Sequence, residues 1–86
     1  MEHEEFIKRC QEAVDLAGYQ LHRVIGNMMA HFTLAIAKYE PTGMPIIERI
    51  PEGLAEAYIA LMLIQLKYGI RQAEIDKAIE ELLTKV

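Results

Sequence analysis

The side chains best equipped for chemistry are few. Glu52 and Glu56 stand four residues apart, a spacing that puts both carboxylates on one face of a helix. With oxygen ligands from a second helix, such a pair can bind one Mg²⁺. The plainer alternative is that both acids lie in the opening turns of a helix and complement its dipole. Asn27 and His31 repeat the same spacing on an earlier apolar stretch. They read as a hydrogen-bonded buried pair, as the solvated edge of a helix, or as a group whose charge follows pH near neutrality. His22 and His31 are nine residues apart, about 13 Å along a helix axis, too far to share a metal within one chain. Cys10 falls on an apolar stripe and reads as a buried, inert thiol rather than a nucleophile. The sequence has neither a phosphate-cradling glycine loop nor a His-Glu-x-x-His zinc pair.

These residues need helices to position them, and the apolar spacing supplies four. From Glu2 to Ala17, the residues Phe6, Cys10, Ala13, Val14 and Ala17 recur at the helical period, and Gly18 is placed to stop the helix. From Gln20 to Tyr39 a stripe runs through Leu21, Ile25, Met28, Phe32 and Tyr39, before Pro41 and Gly43 end it. Residues 40–50 form the one long connection, with Ile46, Ile47 and Ile50 expected to pin it to the body. From Pro51, a residue suited to the first helical position, to Tyr68 the chain is apolar almost all round. Such a helix must be buried on every side. From Arg71 to Val86 a single stripe of Ile75, Ile79, Leu82 and Val86 predicts an ordinary amphipathic outer helix.

Length and composition set the limits. Residues 1–86 are one small domain of 9.8 kDa. A net charge of −4 argues against a nucleic-acid module, which needs a basic face. The longest unbroken apolar run, Ala57 to Ile64, is far too short to span a membrane. The acidic opening Met1-Glu2-His3-Glu4-Glu5 is unlike a signal peptide. One cysteine excludes an internal disulfide framework, and a cytoplasmic, reducing location is the default expectation. Four helices in one small chain cannot cover a helix that is apolar all round. The missing cover is expected from other copies of the chain, as a dimer or tetramer.

In its order of segments the chain resembles the MazG-type all-α nucleoside triphosphate pyrophosphohydrolases, especially their short phage and bacterial members. The resemblance is carried by Glu5-Phe6-Ile7 through Gly18, by Ala35-Ile36-Ala37-Lys38-Tyr39, by Glu52-Gly53-Leu54-Ala55-Glu56-Ala57 with Tyr68-Gly69-Ile70, and by Ala78-Ile79-Glu80-Glu81. It covers nearly the whole chain and implies a four-helix MazG-like bundle completed by homo-oligomerisation. The family holds Mg²⁺ with a Glu-Glu-x-x-Glu motif on the second helix and a Glu-x-x-Asp motif on the third. In the register set by Ala35-Ile36 and Lys38-Tyr39, the first motif falls on Asn27, Met28 and His31, and the second on Gly53 and Glu56. One acid of the family's five is kept, as Glu56. Thioether and imidazole are poor Mg²⁺ ligands.

The resemblance therefore implies a pseudoenzyme: a MazG-like protein without catalytic residues or a resident cofactor. Its groove, lined by Asn27, Met28, His31, Glu52 and Glu56, would bind a nucleotide or a protein partner. The alternatives are a Mg²⁺-dependent pyrophosphohydrolase with a rearranged site, in which Glu52 and Glu56 are joined by Glu48 or Glu40 or by acids of a second subunit, and an unrelated helical adaptor. The adaptor would have no reason to bring Asn27 and His31 against Glu56.

Overall fold

A computed structural model describes residues 1–37 and 50–86, with side chains to residue 34 on the near side of the gap. The described chain is all-helical. Four α-helices follow one another among the described residues: α1 (His3–Ala17), α2 (Leu21–Ala37), α3 (Ile50–Lys67) and α4 (Gln72–Leu83), with a short 3₁₀ turn, Gly18–Gln20, between α1 and α2. The expected pins Ile46 and Ile47 and the candidate acids Glu40 and Glu48 lie outside the described residues, as does the Lys38-Tyr39 end of the second helix.

Each boundary has a local cause. Glu4 and Glu5 occupy the first turn of α1, where negative charge meets the positive end of the helix dipole. Gly18 ends α1 with φ +53°, a conformation that L-residues with a Cβ adopt only under strain. Gly69 does the same for α3 at φ +64°. There Ile70 N–H donates to the Gln65 carbonyl at 3.0 Å and Gly69 N–H to the Leu66 carbonyl at 3.3 Å, the two bonds of a Schellman turn. α3 already includes Ile50, so Pro51 sits one position later than the sequence suggests. The first turn still tolerates it, because the first four N–H groups of a helix have no partner within it. At the start of α4, the Glu74 carboxylate accepts the Arg71 N–H at 2.8 Å. This is half of a capping box, since arginine has no side-chain acceptor to return the bond.

The core is small. Cys10, Leu21, Ile25, Ala60 and Leu63 form its buried centre, and Phe6, Val14, Met28 and Ile59 are among the partly buried residues packed on it. These come from α1, α2 and α3, which pack together with α2 against α3 as the main pairing. Gly53, Ala57, Ala60 and Leu63 are the buried residues of α3. Three of the four are small, so the α2 backbone can approach closely.

Two expectations from the sequence are met only in part by a single chain. The first is burial of the third helix on every side. Within one chain only one face of α3 is buried, and Leu54, Tyr58 and Leu61 stand exposed at 42, 68 and 57%. The second is the four-helix bundle. Three helices make the body, whereas α4 contributes no buried residue and barely touches the other helices. Ile75, Ile79 and Leu82 of its stripe lie on the helix and Val86 beyond its end, and Ile79, Leu82 and Val86 are exposed. Periodicity identified the stripes correctly. It could not say whether their cover lies in the same chain.

Candidate functional site

Close approach of α2 and α3 brings His31 and Glu56 together. His31 Nδ1 lies 2.7 Å from Glu56 Oε2, a short contact joining helices across 25 residues of sequence. The site is an edge of the body rather than a buried pocket, with the His31 side chain 61% exposed and that of Glu56 33% exposed. When Nδ1 carries the proton, it donates to the carboxylate and leaves Nε2 as the ring's other polar atom.

The remaining candidates surround this bridge unequally. Glu52 lies one turn before Glu56 on α3 and is exposed, so the two acids share a face as their spacing requires. Asn27 lies one turn before His31 on α2, also exposed, with no side-chain hydrogen bond among the described residues. The buried-pair reading of Asn27 and His31 is thereby corrected: these two residues lie on a solvated edge, because the packed face of α2 is the one that carries Leu21 and Ile25. Met28 is half-buried and packs on the core cluster. Its thioether belongs to the packing of α2 on the body more than to the polar edge. Gly53, where the family register expects a carboxylate, is buried in the α2–α3 contact.

A Mg²⁺ ion would meet a mixed donor set among the described residues of this edge. It needs hard oxygen ligands in near-octahedral array. Here α2 offers an imidazole, an amide and a thioether, and the nearest carboxylate on α3 already faces the imidazole at hydrogen-bond distance. No group of three or more His, Cys, Asp or Glu side chains is close enough to hold a metal ion among the described residues.

Two further groups lie apart from this edge. Cys10 is buried, and burial pushes its thiol pKa up by disfavouring the thiolate. His22 is near Tyr68, with ring centroids 6.5 Å apart and tilted by 47°. Sequence reasoning missed the large groove of about 850 Å³ lined by residues such as Tyr58, Leu61, Gln65, Ile75 and Ile79. It runs between α3 and α4, with Met1, His3 and Phe6 from the N-terminal end also lining it, away from the His31–Glu56 edge. Its only trace in the sequence is the pair of stripes on those helices.

No protein-family model, no curated protein and no solved structure matches the chain. No helix among the described residues is long and apolar enough to cross a membrane.

Proposed function

We propose that the chain is a non-catalytic, homo-oligomeric helical protein of MazG-like design, using the α2–α3 edge to bind a nucleotide or a protein partner. The observation that carries this reading is the His31–Glu56 bridge. In the family register, position 31 of the second helix and position 56 of the third are where two metal-holding acids would face each other. The contact of these two side chains at 2.7 Å supports that register, because an unrelated arrangement of helices has no reason to pair them. The identity of the residues supports loss of catalysis. A histidine facing a glutamate presents one carboxylate, whereas two facing acids form an anionic cage for a divalent ion. The edge still presents an imidazole, the Asn27 amide and the Glu52 carboxylate, a set able to hydrogen-bond a base or a peptide. The oligomer is supported by the apolar face that α3 leaves exposed, and a single unpaired thiol suits the reducing cytoplasm.

The test is direct. The full chain is incubated with a panel of nucleoside triphosphates and Mg²⁺ or Mn²⁺, and pyrophosphate is measured. No release above buffer is expected. Release that disappears in Glu56→Ala would overturn the reading in favour of a hydrolase with a rearranged site. Calorimetric titration with the same nucleotides then separates nucleotide from protein as the ligand.

A further inference from the structure

We infer that α4 is a hinged strap that swings about residues 68–71 and closes on the outer face of α3 in its own chain, withdrawing that face from partners while it is shut. The inference concerns a different surface from the His31–Glu56 edge, and its failure leaves the reading of that edge untouched.

The two helices diverge progressively from the turn that joins them. Close to the turn they are tied: Gln65 Nε2 donates to Gln72 Oε1 at 3.4 Å, and Ile64 and Ile75 are half-buried. Further out the same stripes are bare. On α3 the exposed residues are Leu61 and then Tyr58, and on α4 exposure climbs to 45% at Ile79 and 62% at Leu82. Exposure that rises with distance from the turn on both helices describes a V, joined at its apex and open at its mouth.

Both arms of the V turn apolar side chains inward. Tyr58, Leu61 and Ile64 of α3 share one groove with Ile75 and Ile79 of α4, and Phe6 of α1 borders it from the N-terminal end. The tie near the apex also sets the register of closure. Counting outward from Gln65 and Gln72, an antiparallel pair puts Leu61 opposite Ile75, Tyr58 opposite Ile79 and Leu54 opposite Leu82. Every pair is apolar. From Ala57 to Leu66 α3 carries no charged residue, so closing strands no ion of α3 in the contact.

The connection permits the movement. Only residues 68–71 lie between the end of α3 and the start of α4, and hinges are short element-terminal segments of this kind that absorb a change of backbone angle. At Gly69, with φ +64°, nothing stands within 4 Å of where a Cβ would be, so no neighbour wedges the turn at one angle. α4 has no buried residue and gives up no core contact when it swings. A helix of 12 residues is marginal in water by itself, and closure supplies the apolar surface that this one lacks.

Shut, α4 is an autoinhibitory cover for the outer face of α3. Open, it offers that face together with its own stripe. A partner that uses this face, a second copy included, must first displace α4.

The experiment uses the full chain with Cys10→Ala, so that only introduced thiols react. Tyr58→Cys with Ile79→Cys puts one thiol on each arm at facing positions. Mild oxidation at low protein concentration is expected to link them within one chain, giving a monomer of increased mobility on a non-reducing gel. The link is expected to form at least about tenfold faster than in Leu54→Cys with Ile75→Cys, a pair out of register by about 10 Å along the axis and beyond disulfide reach. Far-UV circular dichroism checks that both variants keep their helix content. If either does not, spin labels at Ala55→Cys and Glu81→Cys, both at exposed positions, report the separation of the arms instead. A short-distance population beside the longer distance of the open groove is then expected. Equal linking rates for the two pairs, a link formed only between chains, or a single long distance would overturn the strap. Pyrophosphate release bears on none of these outcomes.

Discussion

The inner and outer faces of α3 run at the same spacing but meet different neighbours. The inner face is Gly53, Ala57, Ala60 and Leu63, all buried against the body. The outer face is Leu54, Tyr58 and Leu61, all exposed. Periodicity is common to both, so size separates them. Small side chains let two backbones of one chain approach within a short helix pair, and dispersion contacts then accumulate at close range. Large side chains hold a neighbour further off and need a groove to fill. The face that packs internally is therefore the less hydrophobic of the two per residue, and the face with more apolar area is left exposed.

The most forceful way to probe this contrast is to truncate one residue on each face. Leu63→Ala, at a site only 1% exposed, is expected to cost about 2–5 kcal/mol through lost burial and a cavity, as read by urea denaturation at any protein concentration. Leu61→Ala, at an exposed site, is expected to cost less than about 1 kcal/mol. A Leu61→Ala cost as large as that of Leu63→Ala would break the contrast. Next in size is Gly69→Ala, which forces a Cβ into a left-handed conformation at φ +64° and is expected to cost about 1–2 kcal/mol. Thermal denaturation followed by far-UV circular dichroism checks it.

A smaller effect is expected at the edge. His31→Ala removes an exposed contact, which is expected to change stability by no more than about 1 kcal/mol. His31→Glu instead sets two carboxylates against each other, and its melting temperature is expected to fall below that of His31→Ala and to rise again with added Mg²⁺. Last, Cys10 reports on the inner packing without perturbing it. Its raised pKa means that the fold favours the neutral thiol. This contribution is complete below the unfolded thiol's pKa and is lost as pH rises through the folded one. Native protein is expected to react slowly with a disulfide reagent, and urea-unfolded protein at the ordinary thiol rate.

Much of the architecture was legible in the residues. The helix ends at Gly18 and Gly69 and the helical spacing of the core residues follow from local chemistry. So does the proximity of Glu52 to Glu56. The meeting of His31 with Glu56 is a tertiary fact, visible in the sequence only through a register borrowed from a resemblance. The isolation of α4 was not legible, because an amphipathic stripe looks the same whether its cover is internal or external. The solvated state of Asn27 was also hidden, since a rotation of about 100° per residue decides which side of a helix a polar group takes.

The separateness of α4 has a consequence for how the protein is made. Chains fold from the N-terminus as they emerge from the ribosome, and α1 to α3 hold all the buried residues of the described chain. The body therefore keeps its core without α4. Under the proposed homo-oligomeric reading, assembly is an encounter between finished bodies, so refolding is expected to show a fast phase independent of dilution and a slower one whose rate scales with protein concentration.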